Sequence, residues 1–152
     1  MGLVLVIAER PMLRDVLQRA IRAWRHEPLS TCDAMFGLEL ALTAHPDAIV
    51  VEHDGPVLDG AGVVRELREV LRDECPRIVL ISGAASDAAV PVPWGLPRST
   101  VVIRKPYRAR DLREAVSRAV PPPPVHPPAG GLSLVRLGRP GPRPWSGVVR
   151  VA

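Results

Sequence analysis

The residues able to do chemistry in this 152-residue chain stand directly after short apolar runs. Ala48-Ile49-Val50-Val51 leads into Glu52, His53 and Asp54. Leu3-Val4-Leu5-Val6-Ile7 leads into Ala8, Glu9 and Arg10. Arg77 to Ser82 closes on a hydroxyl, and Val101-Val102-Ile103 opens into Arg104-Lys105-Pro106-Tyr107. A carboxylate, a hydroxyl and an ammonium, each delivered where an apolar run stops, can meet a polar ligand or satisfy one another's charge. Glu52 is the central candidate.

The elements that must position these groups follow from periodicity. The run ending at Val51 is too brief for a helix and rich in β-branched residues, so it predicts a strand covered on both faces, as in a parallel sheet. In open α/β sheets, ligands gather at the carboxyl ends of the strands, which is where Glu52, Glu9, Ser82 and Lys105 fall. Between the runs the period turns helical. Pro11 suits a first helical turn, and Leu13, Val16, Leu17, Ala20, Ile21 and Trp24 form one stripe. His26 to Thr31 reads as a weak strand interrupted by Pro28, which is tolerable only at an edge or near a strand start. Asp33 caps a helix over Ala34–Ala44, which His45-Pro46 stops. Asp59-Gly60 makes a turn into a helix over Ala61–Arg72, with Val63, Val64, Leu67, Val70 and Leu71 inward. A further helix is expected after Ser82. Pro91, Pro93, Gly95 and Pro97 leave room for only a turn or two over Ser86–Val90. The last helix runs over Ala109–Val120 and ends at Pro121.

Composition limits the function classes. Four of the 20 basic residues, Arg136, Arg139, Arg143 and Arg150, lie in residues 121–152, which contain no acid. That leaves 16 basic against 16 acidic residues in 1–120, so the folded part is neutral, which argues against nucleic acid as a partner. Residues 121–152 also hold 9 of the 18 prolines and 5 of the 12 glycines, a composition expected to be extended or disordered. Cys32 and Cys75 have no metal-ligand spacing and are expected to be reduced, partly buried thiols. The longest apolar run, Gly2 to Ala8, is too short for a bilayer and lacks a basic lead, so the expected compartment is the cytoplasm.

The ordered set resembles a bacterial response-regulator receiver (CheY-like) domain over residues 2–120. That family's third strand is marked by Pro-Asp, four apolar residues, the phosphorylated Asp, a Pro four later and Asp-Gly at seven and eight later. Here Pro46-Asp47 leads the strand, Pro56 is four past Glu52, and Asp59-Gly60 are seven and eight past it. Glu52 therefore falls on the phosphoacceptor position, Ser82 on the family's Thr/Ser, and Lys105 with Pro106 on its Lys. The resemblance implies a flavodoxin-like, doubly wound α/β fold: a five-stranded parallel sheet of order 2-1-3-4-5, with a degenerate fourth helix and a Pro/Gly-rich tail. It also implies a non-enzymatic, cytoplasmic role in two-component phosphorelay signalling, with a histidine kinase or a downstream effector as partner.

The chain departs from the family where Mg²⁺ would sit. The acidic pair maps to Ala8 and Glu9, leaving Glu9 and Glu52 as a degenerate metal set. A hard divalent cation wants several oxygens at near-ideal geometry, so the expected cofactor is none; Glu9 is expected to join the Glu52–Lys105 charge cluster, with weak metal binding there left open. The aromatic expected three residues before the Lys is Val102. The implied function is an atypical stand-alone receiver, a pseudo-receiver acting as a protein-interaction module and not phosphorylated by the Mg²⁺-dependent route. Glu52 with Lys105 is either a permanent mimic of the phosphorylated acid or a relic ion pair. Ser82 is either a phosphate-pocket ligand or a strand-end cap. His53 is expected on the opposite face, and His26, His45 and His126 show no ligand spacing. The alternatives are an acceptor at Asp54, or a small flavodoxin-like nucleotide- or flavin-binding protein. Ala8-Glu9-Arg10-Pro11 has no glycine to cradle a phosphate, which counts against the latter.

Overall fold

The computed structural model describes residues 1–83 and 100–122. Within them five strands alternate with helices: β1 Leu3–Ile7, α1 Pro11–Ala23, β2 Glu27–Thr31, α2 Ala34–Ala44, β3 Ala48–Glu52, α3 Gly60–Leu71, β4 Arg77–Ser82, β5 Thr100–Arg104 and α4 Ala109–Ala119. A short 3₁₀ turn, Arg72–Glu74, links α3 to β4. The strands form one parallel sheet of order β2-β1-β3-β4-β5, the expected order. The prediction of a broken helix over residues 84–99 and that of a disordered tail over 123–152 both lie outside the described residues.

The continuous apolar runs become the inner strands because both of their faces are covered. Every residue of β3 is buried, as are Val4 to Ile7 and Ile78 to Ser82. On one face Leu17 and Ile21 of α1, with Leu112, Ala115, Val116 and Ala119 of α4, pack over Val4, Val6, Ala48, Val50, Val79 and Ile81. Helices α2 and α3 cover the other face. Gly37 of α2 lies so close to Ile7 that a Cβ there would come within 2.6 Å of Ile7 Cδ1. Burying runs of Val, Ile and Leu on two faces supplies most of the stabilisation, at about 1.5–3 kcal/mol per fully buried side chain.

Local signals set the boundaries. The Asp33 carboxylate accepts the Phe36 N–H at 2.7 Å and caps α2. His45 closes that helix in the left-handed region, φ 49°, ahead of Pro46. Pro28 lies opposite Val4 in the edge strand β2, where its missing N–H faces no neighbour. Asp47 pins the start of β1: its carboxylate accepts the Leu3 N–H at 2.7 Å, and its own N–H donates to the Leu3 carbonyl at 2.8 Å.

Two expectations need correction. Val16 was placed on the inward stripe of α1 but is 58% exposed, because the helix rests on a narrower band centred on Leu17 and Ile21. Cys32 was expected partly buried. It is exposed just past β2, while Cys75 is half-buried, and both are free thiols.

Candidate functional site

Strands β1 and β3 are neighbours whose following segments leave toward different helices, which makes their carboxyl ends the switch point of the sheet. Glu52, the last residue of β3, sits at this point and has no solvent exposure. Its Oε2 accepts the backbone N–H groups of Glu9 at 3.0 Å and Arg10 at 3.2 Å. Arg10 is the N-cap of α1, has no side-chain cap of its own, and precedes Pro11 at the first helical position. The Glu52 carboxylate thus lies at the positive end of α1, which favours an anion there.

The other oxygen, Oε1, faces two cations. Lys105 Nζ is 3.7 Å away and Arg10 Nη1 is 3.5 Å away. Neither makes a hydrogen bond to it, and among the described residues Oε1 is a buried acceptor with no hydrogen-bond partner. A buried carboxylate needs such compensation, since desolvating a charge costs several kcal/mol. Arg10 is half-exposed and also donates from Nη2 to the Asp54 carbonyl at 2.8 Å, so its guanidinium spans the mouth of the pocket.

Lys105 owes its position to the β4–β5 ladder. Its N–H donates to the Ser82 carbonyl at 2.7 Å, and the Lys105–Pro106 peptide is cis. Ser82 is buried at the end of β4, opposite Arg104 of β5. Two residues past Lys105, Tyr107 packs against the α1/α4 core. Burial, and then the negative charge of Glu52, push its hydroxyl above the usual tyrosine range.

Glu9 does not join this cluster through its side chain. Its Oε2 accepts the N–H groups of Val57 at 2.8 Å and Leu58 at 2.9 Å, bracing the loop between β3 and α3. Gly55 makes room for it, since a Cβ at 55 would collide with that oxygen. Asp54 accepts the Gly83 N–H, joining the ends of β3 and β4. His53 is turned toward α3, where its Nδ1 accepts the Ala61 N–H at 3.3 Å.

The receiver resemblance implies Mg²⁺ beside these acids, and the donor set does not fit it. Ala8 offers no oxygen. One oxygen each of Glu9 and Glu52 is taken by two amides, and the other oxygen of Glu52 faces Lys105 and Arg10. Among the described residues no three His, Cys, Asp or Glu side chains stand where they could share an ion.

Solved structures supply the comparison. A response-regulator receiver domain protein from Clostridium thermocellum superposes with a TM-score of 0.65 at 19% identity, over 79% of this chain and 94% of that one. A chemotaxis protein from Vibrio cholerae gives 0.62 at 20%, over 78% and 98%. The chain has the receiver fold. The receiver domain of a Pseudomonas aeruginosa sensor histidine kinase, described with a magnesium ion coordinated in its active site cleft, gives 0.60 at 20%, over 78% and 97%. No family model and no curated protein matches the sequence.

The sequence named Glu52, Lys105, Ser82 and Glu9, and the fold brings all four to the same end of the sheet. It missed Arg10 and Tyr107. Both had a usable signal, since each lies within three residues of a strand end on that rim, but an arginine at a helix start and a tyrosine after Lys-Pro also read as ordinary surface and core.

Proposed function

We propose that this chain is an atypical receiver module of two-component signalling that works by binding a signalling protein, such as a histidine kinase or a downstream effector, without taking phosphate by the Mg²⁺-dependent route and without catalysing a reaction. The observation that carries the reading is the Glu52 carboxylate: one oxygen is held by two backbone amides, and the other is flanked by Lys105 and Arg10. Phosphoryl transfer to a carboxylate needs a free oxygen to attack and a cation to hold the phosphoryl oxygens. Here one oxygen is engaged by two backbone amides, and the other is buried beneath the paired charges of Lys105 and Arg10, so neither is presented to a phosphodonor.

The same geometry disfavours a nucleotide or flavin at the first loop. The amides of Glu9 and Arg10, which would have to cradle a phosphate, are spent on Glu52. Among the described residues no helix is long and apolar enough to cross a membrane.

Incubation with a small-molecule phosphodonor and Mg²⁺, followed by intact-mass measurement, tests the proposal. The expected spectrum shows the unmodified mass alone. A gain of one phosphoryl group that disappears in Glu52→Ala overturns it, and a gain that disappears only in Asp54→Asn moves the acceptor to Asp54.

A further inference from the structure

A second concavity opens away from Glu52, between the end of β2, the start of α2 and the segment leading into α3. Its volume is about 550 Å³, within the size of ordinary binding clefts. Glu9, Asp33, Asp59 and Glu66 line it, and among the described residues no Lys or Arg does. Two of its lining residues are apolar side chains left in water: Met35 is 70% and Val57 is 89% exposed.

The acids have separate local duties that explain only part of the charge. Asp33 caps α2. Glu9 braces the β3–α3 loop. Asp59, the N-cap of α3, lies 4.0 Å from the Arg65 guanidinium, which stands outside the lining. Glu66 is beyond the first turn of α3, where a helix N-terminus no longer favours an acid. The cleft is therefore both negative and apolar-lipped. A small polyamine would answer the carboxylates and leave Met35 and Val57 in water. A peptide segment answers both, and arginine and methionine are the residue types that interfaces favour.

We infer that the cleft between the starts of α2 and α3 is the docking site for a partner segment that carries arginine or lysine next to apolar side chains. This inference rests on the reading of the chain as an interaction module and names the surface involved. The complementarity is specific in sign: an acidic or purely polar segment gains nothing from these walls.

Cys32 lines the cleft and is exposed, so it reports occupancy directly. Burial pushes the Cys75 thiol up, and a Cys75→Ser background removes it from the readout. The full isotope-labelled chain is titrated with a synthetic peptide of alternating leucine and arginine while Cys32 is reacted with a thiol reagent. The expected result is protection of Cys32 by about tenfold at saturation, with amide shifts at Met35, Val57 and Gly62. Glu66→Lys and Val57→Ser each weaken binding by about tenfold, and both sites are exposed, so equal thermal melts show that the fold is kept. Equal protection by spermine overturns the inference in favour of a small-cation site. Shifts confined to another surface, or no protection at millimolar peptide, also overturn it. Any of these failures leaves the mass measurement on Glu52 standing, whereas a phosphorylated Glu52 overturns the wider reading whatever the cleft does.

Discussion

Glu52 Oε1 lies 3.7 Å from Lys105 Nζ, close enough for strong attraction and too far for a hydrogen bond. The two charges are held on separate strands, β3 and the end of β5, and neither closes the gap. Arg10 shares the work at 3.5 Å. The buried acid is thus balanced by two imperfect partners and not by one good one.

Removing one partner should expose this balance. Lys105→Met is expected to lower stability by about 1–3 kcal/mol, less than the loss of a sole buried partner because Arg10 stays. Glu52→Gln combined with Lys105→Met should be less destabilised than the sum of the two single changes. Urea unfolding of the four proteins in a double-mutant cycle measures this. Strict additivity would show that the pair does not interact.

Glu9 is predicted to act as a brace. Two charge-assisted hydrogen bonds to the amides of Val57 and Leu58 are lost in Glu9→Ala. Hydrogen exchange at those two amides should accelerate by about tenfold or more, while the strands keep their protection. Titrating Mg²⁺ should shift neither amide in the unaltered chain. Unchanged exchange in the variant would refute the bracing role.

His26 makes stability sensitive to mild acid. Its Nδ1 accepts the Gly2 N–H at 3.1 Å, which requires the neutral ring. Burial first, and the N-terminal ammonium second, lower its pKa from 6.5, against a smaller opposing pull from Asp47. The unfolded chain then binds more protons than the folded one in the window below 6.5, so stability is complete above that value and falls as pH drops through the folded-state pKa. His26→Asn should show a smaller drop in urea midpoint from about pH 7.5 to about pH 5.5. Identical slopes for the two proteins would remove His26 from the account.

Two glycines should respond differently to alanine. A Cβ at Gly55 would meet the far end of the Glu9 side chain, which can swing away, although its Cβ and that of Leu58 are also within 3.0 Å. A Cβ at Gly60 would come within 2.5 Å of the Glu52 carbonyl oxygen and 2.6 Å of His53 Cα, and backbone cannot swing. Gly60→Ala is therefore expected to cost about 3 kcal/mol and Gly55→Ala about half of that, read from unfolding midpoints.

The parts of the fold that were legible were those where one force dominates. The apolar runs of β1, β3 and β4 had no other way to be buried, and Pro28 had to sit at an edge or near a strand start, which in β2 are the same place. The Asp33 cap and the His45-Pro46 stop set α2 to the residue. Val16 was misjudged because periodicity gives the centre of a buried stripe and not its width. The direction of Glu9 was not legible either. Both the Glu52 cluster and the loop amides lie within its reach, and the choice depends on the room that Gly55 leaves. Arg10 was passed over because an arginine at a helix start also reads as ordinary surface, although the expected strand order already put β1 beside β3.

Tyr107 is the only tyrosine in the chain, and it sits where the charge of Glu52 is felt. Its phenolate absorbance is therefore a built-in voltmeter for the pocket. An alkaline titration reads one chromophore, and neutralising Glu52 by Glu52→Gln, or screening it when a partner docks on that rim, should move the midpoint down toward the ordinary tyrosine value. The state of a carboxylate that no solvent reaches can in this way be followed by spectrophotometry in an unlabelled sample.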